Sequence, residues 1–500
     1  MARQRWVVAG QLGEEFDDGG RMLLVEARSA WSRAPIHRRK AHLYLSAMRH
    51  RKAELGDRME YVQAATFRAA LEGRDLEVID PTSYRARRLA RELGAEILPS
   101  RGFVTSEPDF AGFADAHPQA AMEDFYRWVR ERTGILMEDG RPAGGRWNYD
   151  HDNRQSPPKN AHTLGLPDPW WPEEDDIDAE VRRDLDRWER DGDVRFVGTD
   201  GPREFAVTPA EARAALRDFI ETRLNDFGPF EDAILEGDWT MAHSLLSVPM
   251  NLGVLDPREA VDAVVAEYTA GRAPLASTEG FVRQIIGWRE WIWHHYWRFG
   301  EDYVHSNVLA AHRDVPPALL ELDADEIEEA CLSHAVGTVR DHGWAHHIQR
   351  LMVIGNHALQ RGYDPRAMND WFVSMFVDGT PWVMPANVVG MTLHADGGRV
   401  ATKPYASGGA YINRMSDHCR GCRFTPTVRI GEKACPYTAG YWAFLDRVEP
   451  ILGDNHRMQQ PFAGLRRLAD RHEVVAQERS RPPLGFRADE DTRPVPSDPA

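Results

Sequence analysis

Five short apolar runs carry the reading of the fold: Arg5-Trp-Val-Val-Ala9, Leu23-Leu-Val25, Glu60-Tyr-Val62, Glu77-Val-Ile79 and Glu96-Ile-Leu98. Helical patterns at about 36–55, 66–72 and 83–93 separate them. Short strands alternating with helices predict a parallel sheet with helices on both faces, so residues 1–135 are expected to be a doubly wound α/β domain. No G-x-G-x-x-G fingerprint follows the first strand. Residues 136–207 read as a connector, rich in Pro, Gly, Asp and Asn over 138–180, and such long connections are linkers or functional loops. Its acidic run Glu173-Glu-Asp-Asp-Ile-Asp178 reads as a solvated helix start rather than a cation site. From Thr208-Pro-Ala-Glu211, a capping box with Pro at the first helical position, helical periodicity dominates. Helices are predicted at 256–270, 278–298, 324–340, 343–360, 364–376, 438–448 and 455–473, with no convincing strand. Residues 208–475 are therefore expected to form a large all-α domain. The Pro-rich, charged stretch 476–500 is expected to be a disordered tail.

The 500 residues, 42% hydrophobic and 28% charged, describe a globular chain of two to four domains. No apolar run reaches the roughly 18 residues of a spanning helix, and the N-terminus lacks a signal-like apolar region. A soluble cytoplasmic protein is expected, with no membrane partner. The net charge of −17 argues against a broadly basic nucleic-acid coat, although a local groove needs only a few cations. Just five Lys (Lys40, Lys52, Lys159, Lys403, Lys433) stand among the 61 Lys plus Arg. Arg suits bidentate phosphate contacts, but a GC-rich genome gives the same bias.

Three groups of residues carry chemistry. Cys419-Arg-Gly-Cys422 is followed, after twelve intervening residues, by Cys435-Pro436, and Cys331 lies far upstream. A CxxC turn presents two thiolates to one centre, and the other two cysteines complete a Cys₄ set; structural zinc and an iron–sulfur cluster both take four Cys, and free thiols are the third reading. The segment 281–299 holds Trp288, Trp291, Trp293 and Trp297 around Arg289-Glu290. It is either an amphipathic core helix or a wall for a planar ligand, a flavin or a flipped base. Ala345-His346-His347-Ile-Gln-Arg350 is read on a helix, where His346, His347 and Arg350 share a face. The histidines there are metal ligands, proton donors or satisfied core residues; without an H-E-x-x-H arrangement a zincin is not indicated.

These pieces stand in one order: Ser244-Leu-Leu-Ser247 to Asn251-Leu-Gly, Gln284-Ile-Ile-Gly-Trp-Arg-Glu290, His346-His347-Ile-Gln-Arg-Leu-Met, Pro385-Ala-Asn387-Val-Val-Gly-Met, then Thr402-Lys-Pro-Tyr405 through Asp417 and the three cysteines. With Arg146-Trp-Asn-Tyr-Asp150 in the connector, the chain resembles the photolyase/cryptochrome superfamily, in particular its bacterial iron–sulfur branch of (6-4) photolyases and cryptochromes. The resemblance implies an antenna-type α/β domain, a helical domain holding U-shaped FAD, and a [4Fe-4S] cluster on Cys331, Cys419, Cys422 and Cys435. Ser244 and Ser247 would contact the FAD phosphates, Arg350 and Asp378 the isoalloxazine, and Asn387 the region of its N5. Asn251 and Arg289 join the cofactor set, and Trp371 an electron-transfer route. His346 and His347 would face a lesion flipped out of UV-damaged DNA, and the Trp-rich helix with Arg289 would wall its pocket. The implied activity is light-driven repair of pyrimidine lesions, most of all (6-4) photoproducts, by electron transfer from reduced FAD, with the protein acting as a monomer. The alternatives are a cryptochrome-like blue-light photoreceptor without repair, and a light-independent flavin or DNA-binding descendant.

The chain also departs from the family. Ala9-Gly10-Gln11-Leu12 lacks the usual carboxylate, and Val25, Ala30 and Arg33 stand where lumazine-binding relatives carry Cys, Glu and an aromatic residue. A 6,7-dimethyl-8-ribityllumazine antenna is therefore not expected. The usual Trp-Tyr pair is Trp371-Phe372, and 318–323 lacks the usual surface Trp, so photoreduction is expected to be slow or rerouted.

Overall fold

A computed structural model describes residues 3–484. The five apolar runs become β1 (Gln4–Val7), β2 (Met22–Ala27), β3 (Met59–Ala64), β4 (Leu76–Ile79) and β5 (Glu96–Leu98), all parallel, in the order β3-β2-β1-β4-β5. The register sets Trp6 beside Leu23 and Leu24 beside Tyr61. One face buries Trp6, Leu23, Val25 and Val78; the other packs Val7, Leu24 and Met22 under the helix Arg38–Leu55. The strand order reverses between β1 and β4, the place where doubly wound sheets open a crevice at their carboxyl ends.

The connector is more structured than its composition suggests. Asp175 accepts hydrogen bonds from the backbone of Ile177 and Asp178 and starts the helix Asp176–Arg190, so the acidic run is a helix cap. Val181, Leu185 and Trp188 are buried on that helix, and Asp178 is held by the buried Arg203, which also binds Glu211. Among the described residues beyond 208 no regular strand occurs. The expected helices appear as Pro257–Thr269, a continuous run from Leu275 to Phe299 with a π-helical middle, Ala330–His342, Pro365–Met375 and Pro436–Leu452, with Gln459–Arg466 separate from Arg471–Ser480. Residues 324–329 are not part of the Ala330–His342 helix. Gly343 in the left-handed region ends that helix (φ 60°), and the next begins only at His347. The expected tail is shorter than read: residues 476–480 are helical, with Glu478 buried between Arg361 and Arg481. Residues 485–500 of that expectation lie outside the described residues.

The Trp-rich segment packs at the seam between the domains. Trp293, fully buried, stacks on Phe103 at 4.0 Å, and Glu290 accepts from the backbone and hydroxyl of Thr105 at 2.9 and 2.8 Å. At the same seam Gly10 (φ 104°) and Gly253 (φ 73°) meet; a Cβ on Gly253 would stand 2.4 Å from the Gly10 carbonyl.

Candidate functional site

Asp378 is the hub of the helical domain. The motif around Ser247 forms the short helix Ser247–Leu252, and the chain after Pro365–Met375 brings Asp378 against it. Arg350 grips Asp378 with both nitrogens, at 2.8 and 3.0 Å, a bidentate pair. Ser247 Oγ donates to the same carboxylate at 2.8 Å, and Asn251 Nδ2 donates to the Asp378 carbonyl at 3.0 Å. Lys40, missed in the sequence, reaches over from the α/β domain and donates to the carbonyls of Val373 and Gly379. Burial pulls its pKa down to about 7, against the opposing pull of Asp378. Four of the sequence-selected residues thus meet at one buried point. Replacing Asp378 by Ala would leave Arg350 and Lys40 buried without their counter-charge; a loss of about 3–5 kcal/mol in denaturant unfolding is expected, against near-neutral behaviour if the pair were a surface decoration.

The two histidines differ in burial but stay together: one ring nitrogen of each, with one of His243, lies within 4.8 Å of the others. His346 stands just before the helix, its carbonyl accepting the first helical bond from the Arg350 backbone at 3.1 Å. Its ring is fully buried, with both nitrogens unpartnered among the described residues, and stacks on His243 at 4.6 Å. Burial first, and then His243, holds the His346 imidazole well below its ordinary pKa. His347 is turned outward, its side chain 53% exposed, and its Nε2 lies 3.2 Å from Asp232 Oδ1. Burial alone would raise the Asp232 carboxyl; the hydrogen bond and charge of His347 reverse this and lower it. His243 and Asp232 were not singled out in the sequence, although His243 immediately precedes the Ser244 motif. Nothing at that stage marked Asp232, which lies 115 positions from its partner.

Other expected members lie elsewhere. Ser244 is half-buried and accepts from the Leu246 backbone at 3.4 Å. Asn387 donates back to the Val383 carbonyl at 2.8 Å, and among the described residues no hydrogen bond ties it to Asp378. Arg289 belongs to the domain seam. It donates to the Gly102 carbonyl at 3.0 Å and lies 4.4 Å from the Phe103 ring and 5.1 Å from that of Trp382. With Gly10, Thr82 and Asn251 it lines a cavity at the strand-order reversal, one side-chain away from the Asp378 hub. Of the antenna positions, Val25 is core, and Ala30 and Arg33 are exposed. Trp371 is buried, with its Nε1 donating to Leu319 at 2.7 Å.

The four cysteines line one cavity. Cys331 comes from the helix Ala330–His342, Cys419 and Cys422 from the CxxC turn, and Cys435 from the cap of Pro436–Leu452. All four are free thiols and line one cavity with Ile412, Phe424, Pro426 and Gly409. A Cβ on Gly409 would stand 2.7 Å from Cys435 Sγ. Burial first, then the neighbouring thiols, pushes Cys419 up to about 12 and Cys331 well above its usual value. Four unpaired cysteines around one largely apolar cavity form a donor set that fits a metal group, which would draw the sulfurs into the thiolate form.

The fold, a doubly wound domain seamed to a helical domain with a buried Arg–Asp hub, is that of photolyases and cryptochromes. The model of deoxyribodipyrimidine photo-lyase-related proteins matches residues 9–192. A (6-4) photolyase of Agrobacterium fabrum is 38% identical over 481 residues, covering 91% of this chain and 92% of its own. The chain therefore belongs to the deoxyribodipyrimidine photo-lyase-related family, the bacterial branch of the photolyase/cryptochrome superfamily. Among solved structures, a bacterial class III photolyase from Agrobacterium tumefaciens matches with TM-score 0.53 and 16% identity over 97% of this chain and 91% of its own. A Synechocystis cryptochrome matches with TM-score 0.52 and 12% identity, covering 94% and 91%. Both likenesses concern the fold. Among the described residues no helix is long and apolar enough to cross a membrane.

Proposed function

We propose that the protein is a monomeric, cytoplasmic, FAD-dependent DNA photolyase that repairs (6-4) photoproducts in UV-damaged DNA. The observation that carries this reading is the exposed His347, paired with Asp232, one helical turn from the buried Arg350–Asp378 hub. The hub suits a flavin: Arg350 and Ser247 are already ordered around the Asp378 carboxylate and Asn251 on its backbone carbonyl, and the unpartnered nitrogens of His346 and His243 lie close by. Bound and reduced, FAD supplies an excited-state electron. The chain's own part would be to seat the flavin at Arg350, Asp378, Ser247 and Asn251, to keep water out, and to place the His347 imidazole for proton exchange. With Asp232 on Nε2, the His347 ring is oriented and its Nδ1 is left to exchange a proton with a base turned out of the duplex. The Cys331–Cys419–Cys422–Cys435 cavity is read as the seat of a [4Fe-4S] cluster, supported by family membership and by the apolar lining. Light-dependent loss of the (6-4) product from a defined oligonucleotide tests the reading, and a photoreceptor without repair predicts none.

A lumazine antenna is not part of the proposal. Val25 is packed in the core, Ala30 and Arg33 face solvent, and Arg289 lies over Phe103 in the seam cavity. The expected result is that denatured, purified protein releases FAD and little lumazine, as read by chromatography; near-stoichiometric lumazine would contradict it.

A further inference from the structure

Three tryptophans that the repair chemistry leaves unused form a ladder. Trp344 is buried two residues before His346, and the Arg350 guanidinium lies 5.6 Å from its ring. Trp344 meets Trp239 edge-on at 5.7 Å, and Trp239 stacks on Trp171 at 5.8 Å, with the planes 16° apart. Trp171, from the connector, is 37% exposed. Each indole touches the next, from the Arg350–Asp378 pair to solvent. Trp239 is fixed further by His342, stacked at 3.9 Å and held at 2.9 Å by Glu204, a carboxylate that Arg39 also pairs. The way through Trp371 is poorer. Arg350 lies 4.3 Å from Phe376, and the rings that lead from there to Trp371 are Phe376 itself and Phe372. Phenylalanine is far harder to oxidise than tryptophan.

We propose that Trp344, Trp239 and Trp171 conduct electrons from the surface to an oxidised flavin held at Arg350 and Asp378; the proposal rests on the FAD reading above. Trp344 gives one electron to the photoexcited oxidised flavin. Trp239 refills Trp344, and Trp171 refills Trp239, so the electron deficit moves outward. The electrostatics favour that direction. The positive Arg350 disfavours a cation on Trp344, and Trp344 Nε1–H is buried with no acceptor among the described residues, so the deficit is not trapped there by proton loss. Exposed Trp171 releases its Nε1 proton to water. A small thiol in solution returns one electron and one proton to Trp171; two such events convert two thiols into one disulfide.

The test is anaerobic blue-light photoreduction of the flavin-loaded full chain with dithiothreitol, followed by absorbance, in wild type and in Trp239→Phe, Trp171→Phe, Trp344→Phe and Trp371→Phe variants. Each sample is normalised to its bound flavin, and transient absorption reads the tryptophan radical. Trp239→Phe is expected to slow photoreduction by about tenfold or more, equivalent to at least ~1.4 kcal/mol of barrier, and to remove the long-lived radical; Trp371→Phe keeps both. Trp171→Phe keeps a short-lived radical that recombines. Should Trp344→Phe lose flavin, the two outer variants decide. Unchanged photoreduction in Trp239→Phe, loss in Trp371→Phe instead, or a flavin-loaded wild type that is not photoreduced overturns the ladder. Wild type without any bound flavin overturns the FAD reading itself.

Discussion

In the His347→Ala variant, (6-4) repair per bound flavin is expected to fall by about 10²–10⁴-fold, the usual contribution of a general acid–base group. Flavin content and the spectrum of the metal centre are expected to stay close to wild type. The reason is geometric. His347 is half exposed and touches Asp232, whereas the Arg350–Asp378 hub closes without it. Removing the ring leaves Asp232 with Arg154 at 3.8 Å as its remaining cation, so some stability is lost, but the flavin seat is untouched. A core histidine would behave in the opposite way: flavin would be lost and repair per flavin preserved. His346 provides that contrast within the same chain, since it is buried and stacked on His243; His346→Ala is expected to lower flavin occupancy first. Product analysis under saturating light, normalised to flavin, separates the two patterns.

Cys422→Ser is expected to abolish the visible absorption of the metal centre and to reduce soluble yield sharply. Cys331 and Cys435 cap or begin long helices, and Cys419 and Cys422 sit on the turn between the helix Gly409–Met415 and Pro436–Leu452. A centre there would tie the helix that carries Cys331 to the 419–435 stretch, and folding would be coupled to its binding at magnitudes on the order of 10 kcal/mol for structural metals. Iron and sulfide analysis on the anaerobically purified protein reads the identity. Stoichiometric zinc without iron would keep the site and replace the cluster, and a soluble mutant with unchanged colour would refute the site.

The parallel sheet was legible because its strands are short apolar-rich runs between helical patterns, Leu23-Leu-Val25 buried on both faces, and such runs need no tertiary information. The grouping of the four cysteines was legible from the CxxC spacing and from their number, and Arg350 and Asp378 were placed together only by the family resemblance, without their ion pair. What escaped the sequence is long-range. Asp232 meets His347 across 115 positions, and Lys40 crosses from the α/β domain to Gly379 across 339; neither leaves a local period. The helix read over 343–360 failed at Gly343, whose left-handed conformation ends one helix and turns His346 inward before the next begins. The Trp-rich segment was ambiguous because a core seam and a ligand wall have the same composition. Its partner Phe103, stacked on Trp293, places it at the seam, where Arg289 also lines a cavity.

The central claim is tested most directly by illuminating the flavin-loaded, chemically reduced protein with a DNA oligonucleotide carrying one (6-4) photoproduct, and resolving the products by chromatography. Blue light should restore the undamaged dipyrimidine, no conversion should occur in the dark, and a cyclobutane dimer in the same sequence should be restored more slowly or not at all. An unchanged (6-4) product after exhaustive illumination, with reduced flavin bound and the DNA in complex, would contradict the assignment of His347 and the hub to photorepair.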